Sequence, residues 1–402
     1  MKRIIIPIFI CTLFIVSAIS QPKSINKPGD KSTKIDELMS YCHENGLFNG
    51  TILVSEKNKV IYKEAFGMAN KEKEQPLTIQ SSFYLCSVSK QFTAMAIMIL
   101  KQKNKLSYDD KLSKYFVEFP SYANDVTIRH LMTHTSGIPD HYRLGAYKKG
   151  LKNADVFSLL IKQDTLDFAP GSKYSYSNGG YVLLAMIVEK VSKQPFHIFM
   201  KENIFKPLGM KNTLVFDESK PEIKNRVIGY NASGNPDDYE LFTTGAGGVF
   251  STVDDLFLWN QSLFTNKPIS QKTLADAFKT TTLNDGSISN YGFGWVISDR
   301  NGKKIVRHSG SLVGFRTFIE RNITDRYSWI LLTNSGDAVP MNEINGALDS
   351  IMNNATYNLP KVPASSKLHR HLKDSSHEVA ESFPNVVVPS EIPESSTGKY
   401  SK

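Results

Sequence analysis

The sequence predicts an α+β fold in which one antiparallel sheet takes strands from both ends of the chain. Three observations carry this. Short runs rich in β-branched and aromatic residues occur early, at 49–55 and 60–66, and again late, at 291–298, 303–308, 315–321 and 327–333. Between the two groups, apolar residues recur at helical spacing. Helical patterns also open and close the region, at 33–44 and 342–353. Strands grouped at two ends with helices between them suit an antiparallel sheet with a mostly helical insert and flanking helices.

Each element has its local reason. Ile35, Leu38, Met39 and Cys42 fall on one face of the first helix. The polar stretch Glu56-Lys57-Asn58-Lys59 reads as the turn of a hairpin. Apolar Phe83-Tyr84-Leu85-Cys86 leads into Ser87, and Phe92, Met95, Ala96, Ile99 and Leu100 then keep a helical face. Ser87 is thus expected at or near a helix N-terminus. Further helices are expected at 126–134, 154–162, 181–192 and 252–264, the last opened by Thr252-Val253-Asp254-Asp255.

Composition bounds the rest. The chain has 402 residues, 41% hydrophobic and 22% charged, so it can build an ordinary core without staples. The formal charge of +9 is spread out with no run of basic residues, which argues against a nucleic-acid partner. Met1-Lys2-Arg3, the apolar run 4–16 and Ala18-Ile19-Ser20 read as a secretory signal peptide over 1–20. That run is shorter than the roughly 20 residues needed to span a bilayer, so no stable membrane span is expected after cleavage. Residues 21–33 read as a linker, 34–355 as the folded domain and 356–402, rich in Ser, Pro, Lys and Glu, as a mostly disordered tail. A secreted or periplasmic location follows from the leader. Cys42 and Cys86 are too few for a disulfide framework and are expected as buried thiols.

Four short patterns carry chemistry. In Ser87-Val88-Ser89-Lys90 a helical turn puts the lysine amine beside the serine hydroxyl. Serine is a weak nucleophile that needs a base, and a buried lysine with a lowered pKa supplies one. In Tyr176-Ser177-Asn178, a tyrosine near cations could ionise and share proton transfer with Lys90. Asn178 could hold Lys90 and donate to a substrate carbonyl. In His308-Ser309-Gly310, at a strand end, His308 is expected to line the pocket opposite Ser87. Gly310 would let an extended substrate approach the strand. The fourth pattern, His130-Leu131-Met132-Thr133-His134, has two histidines four apart. It lacks the Glu of a zinc helix and any third ligand, so a structural role is expected, and no metal.

Taken in order, Ser-x-x-Lys, Tyr-x-Asn and His-x-Gly resemble the β-lactamase-related serine hydrolases. That group includes class C β-lactamases, D-alanyl-D-alanine carboxypeptidases, D-aminopeptidases and secreted esterases. Thr133-His134-Thr135-Ser136-Gly137-Ile138, Gly245-Ala246-Gly247-Gly248 and Tyr291-Gly292-Phe293-Gly294-Trp295 resemble segments of the same group. The resemblance implies a β-lactamase/transpeptidase-like fold and no cofactor. It implies that Ser87 attacks an acyl carbonyl, that Lys90 and Tyr176 move the proton, and that the backbone N–H groups of Ser87 and Ser311 form an oxyanion hole. A small-molecule or peptide substrate is expected, with cell-wall-derived peptides among the candidates. The sequence departs from the group at His308, where many members carry a lysine suited to a substrate carboxylate; histidine is mostly neutral near pH 7. Efficient penicillin turnover is therefore not expected. The alternative function is a penicillin-binding or sensor protein that acylates without turnover.

Overall fold

The computed structural model describes residues 24–25 and 30–362; the expected signal peptide, most of the expected linker and residues 363–402 lie outside the described residues. One six-stranded antiparallel sheet organises what is described. Its strands are β1 (Gly50–Glu56), β2 (Lys59–Phe66), β3 (Val296–Arg300), β4 (Lys303–Leu312), β5 (Phe315–Asn322) and β6 (Tyr327–Thr333). The spatial order is β3-β4-β5-β6-β1-β2. The late strand β6 pairs with the early strand β1, from Tyr327 opposite Glu56 to Thr333 opposite Gly50. The sheet therefore does unite both ends of the chain. The β1–β2 hairpin turns through Lys57 and Asn58, both with positive φ (48° and 64°).

Five longer helices surround the sheet: α1 (Lys31–Glu44), α2 (Lys90–Gln102), α3 (Asn178–Ser192), α4 (Val253–Ser262) and α5 (Met341–Met352). Asp30 caps α1 by accepting from the Thr33 amide (2.8 Å), which satisfies one of the helix's free N-terminal N–H groups. The α1 residues Ile35, Leu38, Met39 and Cys42 are all buried, as their spacing requires. Alternation along the strands assigns the two faces. On the outer face Trp329 donates through Nε1 to Asn345 of α5 (2.7 Å). On the inner face Ser328 meets Asn260 of α4 (3.2 Å), and Thr317 Oγ1 donates to the Leu85 carbonyl at the start of the helical insert (2.8 Å). Tyr357–Asn358 pair antiparallel with Ser24–Ile25 beyond α5.

Two expectations change. The strand expected at 291–298 begins only at Val296. Gly292 and Gly294 turn the chain, and Gly294 (φ +76°) presses so close to α2 that a Cβ would lie 2.9 Å from the Lys90 carbonyl oxygen. The helix expected at 126–134 shortens to Ile128–Met132, capped by Thr127. No helix among the described residues is long and apolar enough to cross a membrane. Cys42 and Cys86 are buried free thiols.

Candidate active site

The site begins with a short 3-10 turn, Cys86–Ser89, that runs into α2. Cys86 has φ +51°, an uncommon conformation for a residue with a side chain. Two strands hold this turn from opposite sides. Leu85 donates its N–H to Val249 (2.9 Å), within a small sheet of Phe83–Tyr84, Leu214–Val215 and Val249–Ser251. On the other side, β4 lies against the turn at Gly310. A Cβ there would stand 2.5 Å from the Leu85 carbonyl oxygen and 2.8 Å from the Cys86 Cβ. Gly310 thus lets the protein's own turn come close to β4. Every residue from Ser81 to Leu100 is buried except Ser87, which is half-buried. The Cys86 thiol is sealed in, and burial drives its pKa up, so it is no rival nucleophile.

Lys90 is fully buried, and its ammonium nitrogen has three partners. Nζ lies 3.2 Å from Ser87 Oγ, 2.8 Å from Asn178 Oδ1 and 2.9 Å from the Ala246 carbonyl oxygen. Burial lowers its pKa to about 7, opposed mainly by the negative charge of Asp140. Two of the partners, the amide and carbonyl oxygens, can only accept. They claim two N–H bonds in either protonation state. When Lys90 is neutral, its lone pair is left for the remaining partner, the Ser87 hydroxyl. The geometry therefore aims the lone pair of a neutral Lys90 at the serine hydroxyl.

The neighbours explain each placement. Asn178 is the first residue of α3, and Asp140 accepts both from its backbone N–H (2.6 Å) and from its Nδ2 (2.9 Å). That fixes the amide with its oxygen toward Lys90. Ala246 is delivered by the glycine loop 245–248, and Gly245 (φ +92°) passes the Tyr181 carbonyl where a Cβ would clash at 2.2 Å. Tyr176 lies with its ring centroid 4.8 Å from Lys90 Nζ. His134 secures it: its Nδ1 accepts from the Ser177 amide (3.1 Å), its carbonyl accepts from the Ser175 amide (2.9 Å), and its ring lies with its centroid 4.2 Å from that of Tyr176, tilted by 35°. His130 has a separate task, accepting at Nδ1 from the Thr127 amide in the helix cap (3.3 Å). Burial dominates Tyr176 and pushes its phenol well above the usual range, although the nearby Ser87 opposes this. Its hydroxyl is buried without a hydrogen-bond partner. Burial therefore favours the neutral phenol at Tyr176 over the ionised form that neighbouring cations would favour.

His308 is brought next to Tyr176, with ring centroids 6.4 Å apart, but it is turned inward. Its Nδ1 donates to the Ser309 carbonyl (2.7 Å), and its Nε2 accepts from the Tyr291 hydroxyl (2.8 Å). Burial, followed by the nearby Lys90 charge, lowers its pKa to about 3. The ring is neutral and both nitrogens are occupied. It is a packed wall component rather than a free group facing Ser87. Ser311 is exposed where β4 runs on past its last pairing with β3 at Arg307. Sequence reasoning missed Asp140, Tyr291 and the Ala246 carbonyl. Asp140 follows the quoted Thr133–Ile138 string by two positions, and only the fold brings it under α3.

Residues 33–351 match the Beta-lactamase family. The chain belongs to this family of serine hydrolases. It is 35% identical over 366 residues to penicillin-binding protein 4* of Bacillus subtilis (strain 168), covering 84% of this chain and 80% of that one. The octameric penicillin-binding protein homologue from Pyrococcus abyssi superposes with a TM-score of 0.71 at 26% identity, over 80% of this chain and 77% of that one. The D-amino acid amidase from Ochrobactrum anthropi SV3 shares the fold, with a TM-score of 0.70 at 22% identity over 81% of this chain and 99% of that one. The β-lactamase/transpeptidase-like architecture expected from the sequence is the one observed.

Proposed function

We propose that this member of the Beta-lactamase family cleaves an ester, amide or peptide bond through an acyl-enzyme on Ser87. One observation carries the proposal. The single opening in a buried stretch of twenty residues is a hydroxyl 3.2 Å from a lysine whose pKa is about 7. Neutral Lys90 takes the Ser87 proton as Oγ bonds the substrate carbonyl carbon. Tyr176, already a phenol, gives its proton to the leaving group as that bond breaks, and recovers one from the Lys90 ammonium. Water then attacks the acyl-enzyme, passing its proton to the same pair, and Ser87 leaves with a proton restored. The backbone N–H groups of Ser87 and Ser311 are proposed as the oxyanion donors; such a donor is typically worth about 100- to 1,000-fold in rate. Asn178 orients the substrate as well as Lys90.

A fluorophosphonate probe is expected to label the protein and to miss Ser87→Ala. Equal labelling of both would remove the proposal.

The inward, neutral His308 leaves no cation at the position where a β-lactam carboxylate would need one. This favours esters and peptides over penicillins. It also keeps a second reading in view, a penicillin-binding protein that acylates without turnover, consistent with the kinship to penicillin-binding protein 4*. Stoichiometric labelling by a β-lactam with no steady-state turnover of p-nitrophenyl esters or D-amino-acid peptides would decide for that reading. We also propose that 1–20 is a cleaved secretory leader, which an N-terminal sequence beginning at Gln21 would support.

A further inference from the structure

A second buried cation stands outside the catalytic cluster. Arg321 projects from the inner face of β5 and is 1% exposed. Its guanidinium lies over three aromatic rings, 4.6 Å from the centroid of Phe264, 5.8 Å from Phe278 and 5.9 Å from Trp295. Its Nε and Nη1 are buried with no hydrogen-bond partner. Aromatic faces attract a cation but do not satisfy its N–H bonds. Burial lowers its pKa to about 9 with no acid opposing, so the group is still charged at neutral pH.

Arg321 lines a cavity of about 10 Å³ between α4 and the sheet. That is room for one ligand about the size of a single water, and a slightly larger monatomic ion fits where the polar wall gives by a few tenths of an ångström. Its wall also carries Arg326, Asn260, Ser55 and Ser328, and no carboxylate. Arg326 lies 5.7 Å from the centroid of the same Phe264 ring, so two guanidinium groups share one ring. The acid next to Arg326 in sequence, Asp325, is committed to Lys303 (2.6 Å) and Asn322 (3.2 Å).

We infer that this cavity is a binding site for a small monovalent inorganic anion of chloride size, held by Arg321 and Arg326. A water could accept from Arg321, but it would leave that buried guanidinium uncompensated in a chamber without an acid, and uncompensated buried charge is costly; the exposed Arg326 adds a second positive charge at the rim. The polar wall can adapt to an anion. Ser55 and Ser328 lie 2.8 Å apart with either hydroxyl able to donate, and Asn260 Oδ1 is buried without a partner. With the Asn260 amide turned end for end, Ser328 donates to its oxygen, and its NH₂ is freed for the anion.

The test is thermal unfolding of the full chain in sodium chloride against sodium gluconate at one ionic strength. A ligand that binds only the folded state raises Tm in a saturable way. A rise of a few degrees with chloride is expected for the native protein. It should vanish in Arg321→Met, which keeps much of the volume without the charge. The exposed Arg326→Gln, safe for folding, should need more chloride for the same rise. The same Tm in both salts for the native protein, or an unaltered chloride dependence in the Arg326 variant, would overturn the site. In crystals grown with bromide, an anomalous peak against Arg321 supports it, and water density alone at that point refutes it.

Discussion

Lys90 and Arg321 are both buried cations beside aromatic rings, yet they have been put to opposite uses. Lys90 has three oxygen partners and a pKa of about 7; Arg321 has two unpartnered nitrogens and a pKa of about 9. Burial penalises both charges. An amine answers by releasing its proton near neutral pH, whereas a guanidinium remains a cation and needs a counter-charge. On the proposed readings, the same physical pressure suits one position to act as a base and the other to receive an anion. Residue type, not burial, draws the line.

The largest break of this comparison is Lys90→Arg. It keeps a positive charge in the cluster but removes the group that can shed it. Loss of kcat/KM by about a thousand-fold or more is expected, in line with the loss of a general base and its geometry. Activity within tenfold of the native enzyme would mean that a charge, not a base, is what Ser87 requires.

A smaller effect comes from pH. Lys90 must be neutral to accept the Ser87 proton, and its pKa is about 7. Below that value the neutral fraction falls with each added proton. The profile of kcat/KM should therefore rise about tenfold per pH unit up to near 7 and then level. A flat profile between pH 5 and 7 on a substrate that does not itself ionise there would show that Lys90 is not the base.

The finest adjustment is Asp140→Asn. Asp140 raises the Lys90 pKa and holds Asn178 by two hydrogen bonds. Removing its charge should move the rising limb toward lower pH, by up to about one unit, the scale of a partly screened charge. The loosened Asn178 should lower the plateau by less than tenfold. An unchanged midpoint with a lowered plateau would reduce Asp140 to a scaffold for Asn178.

The sequence carried the frame of the fold because periodicity is local. Ile35, Leu38, Met39 and Cys42 announced α1, and the run 327–333 became β6 residue for residue. It missed what depends on distant neighbours. Tyr291 and Trp295 look like strand residues, but Gly294 turns the chain against α2 between them. Ser87, Lys90, Tyr176 and Asn178 do converge around one amine, with His308 behind Tyr176. The direction of His308 was not legible, because it depends on Tyr291 reaching Nε2. Nor was the use of Gly310, since strand and turn are more than two hundred residues apart in the chain. Asp140 carries no spacing signal at all.

That last separation has a consequence for how the molecule comes into being. The turn bearing Ser87 is braced by β4, and the early strand β1 finds its neighbour only in β6. Synthesis delivers Ser87 and Lys90 in the first quarter of the chain, but the strand that braces them arrives only in the last quarter. Such long-range pairing makes assembly slow and late. A nascent chain stopped before 327 would hold every residue of the Ser87–Lys90–Tyr176 set and still lack the strand that completes the sheet. On the proposed mechanism, reactivity would belong to the finished chain, with the serine made well before it is armed.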